Sequence, residues 1–276
     1  MDKLYGLIGE KLGHTYSPLI HNEILKKVNI KGYYGLFQVK KQNLKYVVSG
    51  LKALGYNGIN VTIPYKSDII EFLDALSPEA SAIGAVNVVN IDKNGISIGH
   101  NTDYYGFGMM LKHANINVEG EGAVILGTGG ASKAVAQYLK DNGIRNIILV
   151  ARNVYSAKLK YPDHKIITYD DLNDIQSCSI IINCTPVGMY PNIEVSPVNK
   201  KYLKKFSSAV DLIYNPSQTL FLSDANDEGL ITTNGLYMLI TQAVRSQEIW
   251  NDIEIPTEII DFIISLFKQE NLWAKI

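Results

Sequence analysis

The segment from residue 123 to residue 152 constrains the fold of this chain most strongly. It contains the apolar run Ala123-Val-Ile-Leu126, the turn Gly127-Thr-Gly-Gly-Ala131, a helical pattern, and a second apolar run that ends at Val150. This order predicts a strand, a glycine turn, a helix and a second strand. The glycines allow close approach to a pyrophosphate, and the helix N-terminus offers unpaired N–H groups. The segment therefore predicts a pocket for a phosphorylated dinucleotide, with an ordinary strand-helix turn as the alternative.

The pattern G-x-G-x-x-G is incomplete here, because Ser132 stands at the position of the third glycine. Gly130, Ala131 and Ser132 are nevertheless all small enough for the helix to pack closely on the strand. The segment also has the length of about 30 residues that is typical of such a unit. These features favour the dinucleotide pocket over the ordinary turn.

The end of the second strand indicates which dinucleotide would bind. An NAD site has Asp or Glu there for the ribose 2′-hydroxyl, whereas this chain has Val150, Ala151 and Arg152. A charge-assisted hydrogen bond contributes about 1.5–3 kcal/mol. Two such bonds from Arg152 to a 2′-phosphate would favour NADP over NAD by roughly a hundredfold or more.

Composition narrows the classes of function. The chain has 276 residues, enough for two domains, and 46% of them are hydrophobic. Its net charge is −1 and it contains no dense Lys/Arg tract, so we expect a small-molecule substrate rather than nucleic acid or an anionic membrane. No segment has the length of a membrane span and the N-terminus lacks a signal-peptide pattern, so we expect a cytoplasmic protein.

No metal or disulfide is expected from the sequence. Cys178 and Cys184 share one short apolar stretch, which indicates buried, reduced thiols. The five histidines show no metal-ligand spacing: His14, His21, His100, His113 and His164.

Strands and helices alternate along the chain, which predicts an α/β fold. In the first part we expect strands at 4–9, 33–39, 58–61 and 86–91, and helices at 18–28, 42–53 and 67–75. In the second part we expect strands at 146–151, 166–168, 179–184, 208–213 and 230–233, which predict a doubly wound sheet. Helices at 236–250 and 256–270 follow without strands between them and could return to the first domain.

These elements predict two domains. The first combines residues 1–103 with residues 237–276, and the second is formed by residues 104–236, beginning with a bridging helix at 104–114. Ser17-Pro18 and Ser77-Pro78 each read as an N-cap followed by a proline in the first helical turn.

Three polar segments follow or begin strands of the first domain, at residues 60–66, 84–87 and 99–103. Ligands of open α/β sheets bind outside the carboxyl ends of strands, so these segments could converge on one cleft. Lys66 could transfer protons there, although a solvated surface lysine is the commoner fate of a single Lys. Asp103 is also well placed to N-cap the helix expected from Tyr104.

Four of the segments resemble, in order and spacing, the shikimate dehydrogenase family: Asn60-Val-Thr-Ile-Pro-Tyr-Lys66, Gly84-Ala-Val-Asn87, Asn101-Thr-Asp103 and Gly127-Thr-Gly-Gly-Ala131. The resemblance covers nearly the whole chain, including residues 9–18, 182–189, 211–216 and 235–242. It implies an N-terminal α/β substrate domain, a Rossmann-type nucleotide domain, and a monomer or homodimer. It also implies an oxidoreductase of aromatic amino-acid biosynthesis that reduces 3-dehydroshikimate to shikimate with NADPH.

The resemblance assigns roles to individual residues. Lys66 matches the catalytic acid-base lysine, and Asp103 matches the catalytic aspartate that binds substrate and supports the lysine. The positions that match substrate-binding residues are Thr15, Ser17, Thr62, Asn87, Tyr214 and Gln242. The positions that match cofactor-binding residues are Gly127, Thr128, Gly129, Gly130, Ala131, Arg152, Thr185, Ile213, Gly235 and Met238.

The chain departs from the family pattern at one matched position, Thr15, and at the two residues beside Arg152. Thr15 stands where a serine is usual, and Ala151 and Asn153 replace the Asn and Thr that commonly flank Arg152. An NADP preference remains the expectation, and its strength stays open.

Structural roles are the alternative at several of the matched positions. Ser17 could be only an N-cap and Asn87 only a turn residue. Tyr214, Gln242 and Met238 could serve packing or the surface.

Two alternative functions stay open at this point. A quinate/shikimate dehydrogenase using NAD or NADP belongs to the same superfamily, and Arg152 without an acidic neighbour counts against it. A non-catalytic NADP-binding sensor would be expected to lack Lys66 or Asp103, and both residues are present.

Overall fold

Two six-stranded sheets organise the described residues, which in this computed structural model are 2–13, 15–176 and 178–269. The strands are β1 (Lys3–Gly9), β2 (Gly32–Gln38), β3 (Gly58–Val61), β4 (Ala75–Leu76), β5 (Val88–Ile91), β6 (Ser97–His100), β7 (Gly122–Leu126), β8 (Asn146–Val150), β9 (Lys165–Ile167), β10 (Ile180–Asn183), β11 (Ser208–Asp211) and β12 (Ile231–Thr233). The α-helices are α1 (Ser17–Lys27), α2 (Val47–Ala53), α3 (Pro78–Ile83), α4 (Thr102–His113), α5 (Gly130–Asp141), α6 (Val154–Lys160), α7 (Leu220–Asp227), α8 (Leu236–Asn251) and α9 (Thr257–Gln269).

The chain divides into two compact units, residues 1–106 with 240–276 and residues 107–239. The chain crosses from the first unit to the second within α4 and returns within α8. Both crossings lie three residues later than the expected domain boundaries. Met1, His14, Ser177 and residues 270–276 lie outside the described residues, including the last position of the helix expected at 256–270 and one of the five histidines.

The first unit has a mixed sheet with the strand order β2-β1-β3-β5-β6-β4. Strands β1, β2 and β3 are parallel, β5 is antiparallel to both β3 and β6, and β4 pairs in parallel with β6. All four residues of β3 are buried, and Asn60 is the one polar side chain among them. Helix α9 packs on α1, where the rings of Tyr16 and Phe267 meet edge to face at 4.9 Å.

The second unit has a parallel sheet with the strand order β12-β11-β10-β7-β8-β9. The chain runs from β7 outward to one edge and then returns to β10 on the other side of β7. This order confirms the predicted Rossmann-type doubly wound fold. All five residues of β7 are buried, as expected for a central strand covered on both faces. The topological switch point therefore lies at the carboxyl end of β7, where the glycine turn follows.

Two predicted helices were partly or wholly wrong. The segment predicted as a helix at 67–75 forms only a short 3₁₀ turn, Asp68–Phe72, and continues into β4. Pairing of β4 with β6 overrides the local helical pattern there. The helix predicted at 42–53 begins as a 3₁₀ segment, Lys41–Tyr46, and becomes α-helical only in α2.

Two predicted N-caps were also wrong, and one is confirmed. Tyr16 rather than Ser17 occupies the N-cap of α1, and Ser17 is the first helical residue. Helix α4 begins at Thr102, so Asp103 lies inside it, and Asn101 Oδ1 accepts a hydrogen bond from the Tyr104 N–H at 3.3 Å. The predicted cap at Ser77 is confirmed, because its side chain accepts a hydrogen bond from the Ala80 N–H.

Candidate active site

Lys66 and Asp103 form a hydrogen-bonded ion pair in the first unit. The Lys66 Nζ donates to Asp103 Oδ2 at 2.5 Å, and the two side chains are 15% and 9% exposed. Lys66 lies in the turn after β3, and Asp103 lies in the first turn of α4, directly after β6. The sheet brings the two side chains together because β3 and β6 both flank β5. The expected convergence of residues 60–66 and 99–103 is therefore present at this pair.

Asn87 holds the other oxygen of the Asp103 carboxylate. Its Nδ2 donates to Asp103 Oδ1 at 2.9 Å and lies 3.2 Å from Gln242 Oε1 on α8. Its Oδ1 accepts the backbone N–H of Thr102 at 2.7 Å, which fixes the orientation of the amide. Asn87 is 3% exposed, so its amide is a directed group of the site rather than a surface turn residue.

A second layer of buried polar side chains supports Asn87. Asn60, the third residue of β3, donates from Nδ2 to the Asn87 carbonyl and to Ser246 Oγ, each at 3.2 Å. Its Oδ1 accepts the Tyr34 hydroxyl at 2.7 Å. Burial raises the pKa of Tyr34, against the opposite effect of a side-chain hydrogen bond with Ser17. A continuous polar network thus runs from Ser17 to Asp103.

Thr15 and Ser17 form a pair of hydroxyls at the start of α1. The Thr15 hydroxyl donates to Ser17 Oγ at 3.1 Å, and its oxygen lies 3.2 Å from the Ser17 backbone N–H. Ser17 is not the N-cap of α1, so the capping role considered for it does not account for its hydroxyl. The two hydroxyls are available as a short polar group for a ligand carboxylate.

The remaining predicted substrate residues fall in both units. Thr62 follows β3 directly, and its backbone N–H is bonded to the Ile8 carbonyl. Gln242 belongs to α8 in the first unit and contacts Asn87, as described above. Tyr214 follows β11 in the second unit. Five of the six predicted substrate residues therefore lie in the first unit.

In the second unit, the glycine turn joins β7 to α5. Gly127 has a φ of +96°, a conformation that favours glycine, and its N–H is bonded to the Val150 carbonyl. Gly129 is the N-cap of α5, and a Cβ added there would meet no heavy atom within 4 Å. The space beside Gly129 is therefore open to a ligand at the N-terminus of a twelve-residue helix.

A cavity of about 540 Å³ lies at this turn. Five predicted cofactor residues line it: Gly127, Thr128, Gly129, Arg152 and Thr185. Further lining comes from residues to which sequence analysis assigned no role, namely Tyr169, Val187, Ser196 and Pro197. Tyr169 comes shortly after β9, so the rule that ligands bind at the carboxyl ends of strands could have indicated it. Ser196 and Pro197 lie in a long loop without such a signal.

The other five predicted cofactor residues lie outside that lining: Gly130 and Ala131, which begin α5, and Ile213, Gly235 and Met238. Ile213 and Met238 are 5% and 7% exposed, and Met238 belongs to the hydrophobic core around β7. Gly235 donates its N–H to the Ile213 carbonyl at 2.9 Å and lies directly against the Leu212 backbone. The cofactor contacts predicted for Ile213, Gly235 and Met238 stay predictions.

A buried carboxylate organises the segment that carries Thr185. Asn183 and Asp211 are neighbours in the register of β10 and β11, and Asn183 Nδ2 donates to Asp211 Oδ1 at 3.0 Å. Asn183 Oδ1 in turn accepts the N–H and the hydroxyl of Thr185. Burial raises the pKa of Asp211 to about 6, although hydrogen bonds from Thr219, the Ile213 N–H and Asn183 act in the opposite direction.

The largest of the described cavities, about 820 Å³, lies elsewhere in the first unit. Charged side chains of both signs line it, including Lys41, Lys45, Asp68 and Glu71. It contains none of the predicted site residues, so the arrangement of polar groups locates the candidate site better than cavity size does.

Two general features complete the description of the site. Within residues 2–13, 15–176 and 178–269, no cluster of His, Cys, Asp and Glu is arranged to hold a metal ion. The helices in the same part of the chain are all too short or too polar to cross a membrane.

Comparisons with known proteins agree with this arrangement. A sequence model described as the shikimate dehydrogenase substrate binding domain matches residues 7–89. A protein of Clostridium perfringens named shikimate dehydrogenase (NADP(+)) is 50% identical over 255 residues, which are 92% of this chain and 94% of that protein. The chain belongs to the shikimate dehydrogenase family.

Solved structures give the same result. A chorismate mutase/shikimate 5-dehydrogenase fusion protein from Clostridium acetobutylicum has a TM-score of 0.94 at 48% identity, with 98% of each chain covered. A shikimate dehydrogenase in complex with NADP+ has a TM-score of 0.87 at 39% identity, covering 95% of this chain and 94% of the other.

The departures from the shikimate dehydrogenase pattern beside Arg152 have local explanations. Asn153 is the N-cap of α6, and its Oδ1 accepts the Ser156 N–H at 2.9 Å. Ala151 is 5% exposed and has no polar side-chain atom. Ala151 therefore offers a phosphate no side-chain donor, and Arg152 is the cationic group of this strand end.

Proposed function

We propose that this chain is an NADP-dependent shikimate dehydrogenase, which reversibly reduces 3-dehydroshikimate to shikimate in the pathway to the aromatic amino acids. The first unit would hold the substrate and the second unit the cofactor. The observation that carries the proposal is the Lys66–Asp103 ion pair in a chain of this family. Its hydrogen bond is 2.5 Å long, and Asn87 holds the second oxygen of the carboxylate.

Reduction of a ketone requires a hydride at carbon and a proton at oxygen. NADPH supplies the hydride when it is bound. Lys66 Nζ would donate the proton to the carbonyl oxygen. An ammonium group has three hydrogens, and the hydrogen bond to Asp103 uses only one of them. Asp103 holds Nζ in place, and the low exposure of both side chains keeps water from competing with the substrate.

The second unit fits the nucleotide. The open space beside Gly129 and the N–H groups at the start of α5 would receive the pyrophosphate. Thr128, Gly130 and Ala131 belong to the same turn and helix start. Arg152 lines the same cavity at the end of β8 and would hold the 2′-phosphate as a bidentate, charge-assisted donor.

The substrate carries one carboxylate and several hydroxyls, so it requires directed donors and acceptors rather than an apolar slot. Thr15 and Ser17 would receive the carboxylate, with the methyl group of Thr15 as the local difference from the usual serine. Asn87 and Gln242 would bind hydroxyls, since both have polar atoms on the network that reaches Asp103. Thr62 and Tyr214 complete the proposed set.

A matrix of steady-state assays tests the proposed function. NADPH and NADH are each combined with 3-dehydroshikimate, and NADP+ and NAD+ are each combined with shikimate and with quinate. The proposal expects the highest kcat/KM for NADPH with 3-dehydroshikimate. Comparable turnover of quinate with NAD+ would support the quinate/shikimate alternative, and no turnover of any pair by protein that binds NADP+ would support the sensor.

Assembly and location are finer parts of the proposal. We propose a monomer or homodimer in the cytoplasm. Light scattering coupled to gel filtration measures the first, and cell fractionation measures the second.

A further inference from the structure

The backbone carbonyl of Gly129 is held by two hydroxyl groups from different elements. Ser132 Oγ donates to the Gly129 oxygen at 2.6 Å. The Tyr161 hydroxyl, from the residue that follows α6, lies 2.7 Å from Ser132 Oγ and 3.4 Å from the same carbonyl oxygen. Each hydroxyl has one hydrogen, so the arrangement that satisfies both runs from Tyr161 to Ser132 and from Ser132 to Gly129.

These hydrogen bonds are shielded from water. Ser132 is fully buried, and Tyr161 is 4% exposed. Burial raises the pKa of Tyr161 to about 12, while the hydrogen bond with Ser132 has the opposite effect, so the phenol keeps its hydrogen at neutral pH. The ring of His164 packs edge-on against Tyr161 at 5.6 Å. The phenol therefore sits in a defined position behind the glycine turn.

Holding the Gly129 carbonyl also fixes the N–H of Gly130. The two groups belong to one peptide unit, and in a trans peptide they point in opposite directions. With the carbonyl turned toward Ser132 and Tyr161, the Gly130 N–H is turned away from them, toward the open side of the turn. Gly129 lines the cavity at the glycine turn. The N–H at the start of α5 is thus aimed before any ligand arrives.

We propose that Tyr161 and Ser132 are positioning residues that aim the Gly130 N–H at the pyrophosphate of NADP. The proposal rests on the function proposed above, in which the cofactor binds at this turn. It also explains why a hydroxyl residue replaces the third glycine of the pattern. Ser132 keeps the small size that helix packing requires and adds a hydrogen bond to the carbonyl behind the phosphate site.

The test compares two ligands by calorimetry on the full chain. NADP+ contains the pyrophosphate, whereas adenosine 2′-phosphate has the base, the ribose and the 2′-phosphate without it. Tyr161→Phe removes only the phenol oxygen, and Ser132→Ala removes only the hydroxyl. Each variant is expected to raise the Kd for NADP+ about two- to tenfold, the worth of one neutral hydrogen bond, and to leave the Kd for adenosine 2′-phosphate unchanged.

Tyr138→Phe is the matched control, because it removes a phenol oxygen from α5 at a site away from the turn. It is expected to leave both dissociation constants unchanged. Thermal unfolding midpoints of all variants show whether the fold is intact, and kcat of Tyr138→Phe at saturating NADPH should stay near that of the unmodified chain. The double variant is expected to lose less affinity than the two single losses combined, because both hydroxyls act on one carbonyl.

Unchanged NADP+ affinity in both variants would overturn the proposal, and so would equal weakening of both ligands. If the unmodified chain itself fails to bind NADP+, the function proposed above fails instead. The two failures are therefore distinguished by the unmodified protein.

Discussion

Lys66 Nζ lies 2.5 Å from Asp103 Oδ2, although the two residues are 37 positions apart in the sequence. The second oxygen of Asp103 accepts the Asn87 amide at 2.9 Å. Both oxygens of the carboxylate are thus bonded to side chains of the same unit, and the lysine ammonium is placed by the carboxylate. A group held in this way needs little reorganisation when it transfers a proton.

Replacing Lys66 tests its proposed role as proton donor. Lys66→Ala is expected to lower kcat by about 10²–10⁴, the usual contribution of a positioned general acid. Steady-state kinetics with NADPH and 3-dehydroshikimate measure the change. Lys41→Ala is the control, since Lys41 is an exposed lysine of the same unit that pairs with Asp68. A kcat near the unmodified value for Lys66→Ala would rule out the assignment.

Cofactor preference is expected to depend on Arg152. Arg152→Asp exchanges a cation for an anion at the proposed 2′-phosphate site. The ratio of NADP to NAD affinity should then fall by roughly a hundredfold or more, because two charge-assisted hydrogen bonds are lost and a like charge is added. Fluorescence titration with both cofactors measures the ratio, and NAD affinity serves as the internal control. A variant that retained its NADP preference would refute the role of Arg152.

Because His21 is buried, we expect the free energy of unfolding to fall in acid. Burial lowers the pKa of His21 to about 3, against a smaller opposite effect from a hydrogen bond with Asn60. The unfolded chain therefore binds a proton below about pH 6.5 that the folded chain does not bind. The free energy of unfolding should fall by about 1.4 kcal/mol per pH unit from about pH 6.5 toward pH 3 because of this residue.

His21→Phe removes this titration and keeps an aromatic ring against Tyr34, with which the imidazole stacks at 4.1 Å. Urea unfolding at several pH values compares the two proteins. The stability of the unmodified chain should decline relative to the variant by about 2 kcal/mol between pH 6.5 and pH 5. Parallel curves over that range would contradict the prediction, because they would show that the pKa of His21 is the same in the folded and unfolded chains.

For Asp211 we expect the free energy of unfolding to depend on pH in the opposite direction. Its pKa, raised by burial to about 6, lies above the ordinary value near 4, so the folded chain binds this proton more tightly than the unfolded chain. Its contribution to the free energy of unfolding should therefore fall by about 3 kcal/mol as the pH rises from about 4 to about 6, and then stay constant. Asp211→Asn provides the uncharged reference in the same urea experiment. A stability difference that is independent of pH would contradict the prediction.

The second unit was largely predictable from the sequence. Strands β7, β8 and β10 contain continuous apolar runs because the middle of a parallel sheet is covered on both faces, and the glycine turn marks β7 and α5. The first unit was less predictable. Strand β4 has only two residues and forms through pairing with β6, a long-range contact that local periodicity does not contain.

The candidate site was predictable only in part. The resemblance indicated Lys66, Asp103 and Asn87, which are close together in the structure. It assigned no role to Tyr34 or Ser246, because their place in the network depends on side-chain directions that only the folded sheet and α8 establish. Ser132 illustrates the same limit. Its sequence position suggested only a small packing residue, whereas in the structure its hydroxyl donates to the Gly129 carbonyl.

The proposed reduction of 3-dehydroshikimate is tested most directly by adding this compound and NADPH to the purified chain. The decrease of NADPH absorbance is followed, and shikimate is quantified in the same sample by chromatography. NADPH should be consumed and shikimate should form in equal amounts, at a rate that NADH does not match. Folded protein that binds NADPH and 3-dehydroshikimate yet forms no shikimate would contradict the proposed function.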